Sequence, residues 1–145
     1  MTGPASDFTS ARGAADPDER YSLELAGTPT AALAARRAVL ARTGALPRAI
    51  RDDVLLLMTE LVTNAVRHAD PAPDRRVRLE LRRQRGAVRV AVCDEGPGFG
   101  PEAICSRPDE TGGWGLMLVD RIADRWAVTR TATGTCVWFE IGYEE

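Results

Sequence analysis

Met58-Thr59-Glu60-Leu61-Val62-Thr63-Asn64-Ala65-Val66-Arg67-His68-Ala69 is the stretch on which the fold turns. It closes a run from about Arg48 to His68 that contains no Gly or Pro, and Pro47 stands where the first residue of a helix tolerates proline. One long helix is expected. Ile50, Val54, Leu57, Met58, Leu61, Val62, Ala65 and Val66 recur at three- and four-residue spacing and form a broad apolar stripe that must face a core. Glu60, Asn64, Arg67 and His68 share a second face beside that stripe. A carboxylate, an amide oxygen and a cation in one row are groups that can hold a metal ion beside a phosphate. The same row, taken alone, also suits a plain solvated face.

Downstream, Arg76 to Arg83 alternates, with Val77, Leu79 and Leu81 inward and Arg78, Glu80 and Arg82 outward. Gln84-Arg85-Gly86 then turns the chain into Ala87 to Asp94, which predicts a hairpin. Val88, Val90, Val92 and Asp94 have the same parity, so a carboxylate is aimed at the covered face of the sheet, where it needs a partner. Residues 95–114 have no period and are rich in Gly and Pro, as befits a long functional loop. From Gly115 a third helix is expected, with Leu116, Val119, Ile122 and Ala123 inward; unpaired N–H groups at its glycine-rich start suit a phosphate. Trp126 to Arg130 and Thr135 to Tyr143 alternate again around Ala132-Thr133-Gly134.

Upstream, Arg20 to Leu25 reads as a short strand, and Thr28 to Thr43 as an alanine-rich helix closed near Gly44. Arg36, Arg37 and Arg42 decorate this helix, either for solubility or as a docking surface for an acidic partner. Residues 1–19 lack any period and are expected to be a disordered tail, leaving one domain over residues 20–145. The order β-α-α-β-β-lid-α-β-β predicts an α+β two-layer sandwich, with one layer of three helices on a mixed sheet of about five strands.

Composition bounds the chemistry. Net charge is −2, which argues against nucleic acid as the main partner. All 19 basic residues are arginine, so a Walker-type phosphate loop, a eukaryotic-type kinase lysine and Schiff-base chemistry are excluded. No apolar run approaches the roughly 20 residues of a membrane span, and the N-terminus shows no basic region followed by an apolar one. A cytoplasmic protein with no membrane partner is expected. Cys93, Cys105 and Cys136 are odd in number and widely spaced, and free thiols are expected rather than disulfides; with His68 as the single histidine, zinc is not expected.

Three boxes occur in order: Glu60-x-x-x-Asn64, Asp94-x-Gly96-x-Gly98 and Gly113-x-Gly115-Leu116. With these boxes, residues 20–143 resemble the ATPase superfamily shared by gyrase-type topoisomerases, the Hsp90 chaperone, sensor histidine kinases and MutL. Within it the short chain looks most like the stand-alone anti-sigma factor serine/threonine kinases. The resemblance implies a Bergerat-type ATP-binding fold with ATP and Mg²⁺ as cofactors. It makes Glu60 the general base, Asn64 the Mg²⁺ ligand and Asp94 the acceptor for the adenine amino group. Gly96 and Gly98 would let backbone approach the base, residues 99–112 would form the lid, and Gly113, Gly115 and Leu116 would place donors on the phosphates. Arg67 or His68 would assist there, and Thr135 would lie near adenine. The implied partners are a sigma factor and an anti-anti-sigma protein, and the implied assembly is a homodimer formed through the first strand and helix. An ATP-gated interaction module and a freestanding histidine-kinase-like catalytic domain are the alternative functions.

Overall fold

A computed structural model describes residues 19–68, 76–95, 114–130 and 134–144. In chain order these form β1 (Glu19–Ala26), α1 (Ala31–Arg42), α2 (Arg48–His68), β2 (Arg76–Gln84), β3 (Ala87–Glu95), α3 (Trp114–Ile122), β4 (Arg125–Arg130) and β5 (Gly134–Gly142). The expected tail over residues 1–19 lies outside the described residues except for Glu19, and the lid over residues 99–112 lies wholly outside them.

The long helix has the expected bounds, because nothing between Arg48 and His68 interrupts the i to i−4 ladder. Its start differs in one respect. The Pro47 carbonyl accepts from Arg51 N–H at 2.9 Å, so Pro47 caps the first turn rather than occupying it. Val54, Leu57, Met58, Leu61, Val62 and Ala65 are buried, as the stripe requires. Helix α1 packs on α2 through Ala31, Ala35 and Val39, while Leu33 and Leu40 face solvent. Alanines at the contact let two helix backbones approach closely, so the larger leucines are displaced to the outer side. Thr43 ends α1 by donating its hydroxyl to Val39 O at 2.9 Å.

The sheet runs β1-β2-β3-β5-β4. β2 and β3 form a hairpin through Arg85-Gly86, and Gly86 takes φ +69°, a conformation that side chains with a Cβ resist. Each of the four neighbouring pairs is antiparallel, which corrects the expected mixed sheet. The reason lies in the order. β3 and β4 do run parallel, but β5 folds back from β4 and inserts between them, so no parallel pair is in contact.

All three described helices lie on one face of this sheet, and the apolar core fills the space between the layers. Two successive rows of the covered face are apolar on the three central strands: Leu79-Val92-Val137 and Leu81-Val90-Phe139. The opposite face carries Arg78, Glu80, Arg82, Arg89, Trp138 and Glu140. Arg89 pairs with Glu140 at 3.1 Å and stacks over Trp138 at 4.1 Å. On this face Cys93 and Cys136, directly opposed on β3 and β5, are joined by a disulfide. That corrects the expected free thiols. Sequence spacing does not reveal the insertion of β5 beside β3, and it is this adjacency that brings the two Cα atoms to 4.0 Å.

Among the described residues no helix is long and apolar enough to cross a membrane.

Candidate functional site

One row of the covered face buries polar side chains where its neighbours bury apolar ones. It reads Leu25, Val77, Asp94, Thr135 and Arg130 across β1-β2-β3-β5-β4. Asp94 is 4% exposed and Thr135 3%, and they are register partners. A carboxylate and a hydroxyl placed side by side under a helix layer cost desolvation energy that aliphatic residues in the neighbouring rows avoid. The Thr135 hydroxyl oxygen is shielded from solvent and has no hydrogen-bond partner among the described residues. Such a group is costly unless something else engages it. Polar groups buried this deeply among apolar neighbours point to function rather than to packing.

The parity that aims Asp94 inward is the simple alternation of β3, and the parity of Thr135 follows from β5 being locked to β3 in register. Both side chains stand near strand ends: Glu95 is the last residue of β3 and Gly134 the first of β5. A site there is approached from beyond the sheet rather than through it.

Helix α2 lies on β3 and packs against α3. Among the described side chains of α2, Asn64, 5% exposed, is the one strongly polar group that is buried, and Glu60, one turn earlier on the same side, is half-buried. Thr59 donates to Leu55 O at 2.6 Å, which satisfies it within its own helix. Arg67 is exposed. His68 is the last residue of α2, and its side chain lies outside the described residues.

Gly115 is the second residue of α3, and Leu116 is buried in the core. The helix begins at Trp114. Gly96, Gly98 and Gly113, the remaining glycines of the boxes, lie outside the described residues. The structure thus describes one box whole, Glu60-x-x-x-Asn64, and the other two in part, through Asp94 and through Gly115 and Leu116.

Chemically, the Asp94 carboxylate offers only acceptors and the Thr135 hydroxyl offers a donor and acceptors. This pair fits the edge of an amino-substituted heterocycle, which presents N–H groups beside a ring nitrogen. Among the described residues no three His, Cys, Asp or Glu side chains cluster to hold a metal ion. A cation at Asn64 would need most of its oxygen ligands from a bound molecule. The feature that sequence reasoning missed is the Cys93–Cys136 bond, one residue from both Asp94 and Thr135. Its signal was the shared outward parity of the two cysteines, legible only once β3 and β5 are known to be neighbours.

A family model described as a histidine kinase-like ATPase domain matches residues 21–141. Among solved structures, the chain is similar to the RsbU and RsbW domains of Rv1364c from Mycobacterium tuberculosis, with a TM-score of 0.60 and 22% identity over 86% of this chain and 32% of that one. It is also similar to the histidine kinase domain of the EL346 blue-light activated histidine kinase from Erythrobacter litoralis, with a TM-score of 0.55 and 23% identity over 89% of this chain and 69% of that one. The chain thus spans about a third of the first structure's length, and at these identities the likeness is one of fold. No curated protein matches it.

Proposed function

The chain belongs to the histidine kinase-like ATPase domain family, and on that premise we propose that it is a Mg²⁺·ATP-dependent serine/threonine protein kinase of the anti-sigma factor type. Its substrate is an anti-anti-sigma protein, and it sequesters a sigma factor when that protein is unavailable. The observation that carries the kinase reading is Glu60, held half-buried one helical turn ahead of the buried Asn64.

The residues fit the ligand. Asp94 accepts from the exocyclic amino group of adenine, and the Thr135 hydroxyl, which lacks a partner among the described residues, supplies a second polar contact to the base. Asn64 would hold Mg²⁺ through its amide oxygen. When bound, Mg²⁺·ATP supplies the transferable phosphoryl group and neutralises charge on it. Glu60 takes the proton of the attacking serine or threonine hydroxyl, a role that asks for a carboxylate free to approach substrate rather than one locked in the core. Gly115 and Leu116, in the first turn of α3, present backbone N–H groups to phosphate oxygens.

Calorimetry of ATP binding tests the site. Wild type should bind with Mg²⁺ dependence, Asp94→Asn should lose binding, and Asn64→Ala should lose the Mg²⁺ dependence. Wild type without ATP affinity would overturn the nucleotide reading. Phosphotransfer tests the base: a Glu60→Ala variant that transfers as fast as wild type removes Glu60 from the mechanism.

The likeness to a histidine kinase domain favours one second reading, a catalytic domain acting on a separate phosphohistidine acceptor. Acid-stable phosphate on the target decides for serine or threonine, and acid-labile phosphate decides against it.

A further inference from the structure

We propose that the Cys93–Cys136 disulfide is a thiol-responsive clamp on the base pocket, so that the redox state of this pair sets the affinity for nucleotide. The proposal rests on the reading of Asp94 and Thr135 as the base-binding pair.

Four facts carry it. The bond joins the rung immediately before the Asp94–Thr135 rung, on the same two strands. Strand alternation puts the sulfurs on the open face and the pocket residues on the covered face, so the clamp and the ligand do not compete for space. Among the described residues, the rung beyond the pocket pair is Glu95–Gly134. A covalent link one rung from Asp94 and Thr135 acts directly on the separation of the two strands that carry them. Finally, both cysteines are half-buried, and the described helices leave their face uncovered, so a small thiol can reach them.

The exchange balances without any group the protein must supply. A thiolate of a low-molecular-weight thiol attacks one sulfur, the Cys93–Cys136 bond breaks, and the other cysteine leaves as thiolate with a mixed disulfide formed. A second thiol attacks the mixed disulfide. The products are two protein thiols and one oxidised low-molecular-weight disulfide, with two electrons and two protons transferred to the protein. Oxidised low-molecular-weight disulfide drives the reverse. Arg78 stands opposite Cys93 on β2, on the same face, and pairs with Glu80 at 3.3 Å.

In the reduced state two thiol sulfurs can no longer sit at bonding distance and must separate to van der Waals contact, which spreads β3 and β5 beside the pocket. The oxidised form is the preorganised one. ATP affinity should accordingly fall about three- to tenfold on reduction and recover on reoxidation.

The test is ATP titration of the full chain after treatment with dithiothreitol or with oxidised glutathione, with the thiol count read by alkylation and mass spectrometry. A Cys93→Ser, Cys136→Ser double variant should bind with the reduced affinity and ignore both reagents. Hydrogen exchange at residues 92–95 and 134–137 gives a readout that needs no nucleotide, and it should quicken on reduction. Equal ATP affinity in two states of demonstrated thiol content overturns the clamp while leaving the nucleotide site standing. A bond that the reductant never opens in the folded protein overturns it as well. Absence of ATP binding in both states overturns the nucleotide reading, and the proposal falls with it.

Discussion

The two faces of the sheet are made by the same strands and differ in almost everything else. On the covered face, side chains are buried in apolar rows, and among the described strand residues the buried polar ones are Asp94 and Thr135. On the open face, arginines and glutamates alternate with one tryptophan and a disulfide, and contacts are made through ion pairs and ring stacking. The difference teaches where energy and specificity reside. Burial on one face holds the fold together, and the polar exception within that burial is the proposed site.

The sharpest test compares neighbours. Phe139 is fully buried and Trp138, the next residue of β5, is half-buried under Arg89 on the other face. By size alone Trp138 would matter more. The two faces predict the reverse: Phe139→Ala should cost about 3–5 kcal/mol in urea unfolding, and Trp138→Ala only about 1–2 kcal/mol, part of it from the lost stacking on Arg89. Equal losses would mean that the open face is covered by something further.

Next comes the exception itself. Thr135→Val keeps the shape and removes a buried hydroxyl that has no partner among the described residues. It should raise stability by about 1 kcal/mol and weaken ATP binding about tenfold. A loss of stability instead would show that the hydroxyl is engaged within the free protein and would weaken its assignment to ligand.

The smallest effect belongs to the ion pairs. Glu140 meets Arg89 at 3.1 Å and Arg125 at 3.8 Å, the latter from a largely exposed side chain. Glu140→Gln should cost under about 1 kcal/mol, and the cost should shrink at high salt. A larger, salt-independent loss would place these charges in a drier setting than the open face provides.

Much of the covered face was legible in the sequence, since period two and period three to four report directly which side of an element is buried. The bounds of α2 could be read because no residue between Arg48 and His68 breaks a helix, and the β2–β3 hairpin because Arg85-Gly86 admits a tight turn. Periodicity says which face a residue occupies but not which strand lies beside it. The place of β5 between β3 and β4, the antiparallel pairing throughout and the Cys93–Cys136 bond all depend on neighbour identity, and all were missed for that reason. Leu33 and Leu40 point outward because small alanines win the helix contact, a competition invisible to hydrophobicity alone. At the site, the inward aim of Asp94 and its place among the boxes could be read, whereas its direct pairing with Thr135 could not.

The insertion of β5 also orders events at the ribosome. β5 is the last strand of the sheet to be synthesised, yet it is an interior one, flanked by β3 and β4. While it is still in the exit tunnel, β3 has an unpaired edge whose inner side chains are valines, a surface prone to pair with another chain. The nascent domain thus completes its sheet and the proposed base pocket in the same late step, when Thr135 arrives beside Asp94, so on that proposal no shorter nascent chain presents a finished nucleotide site.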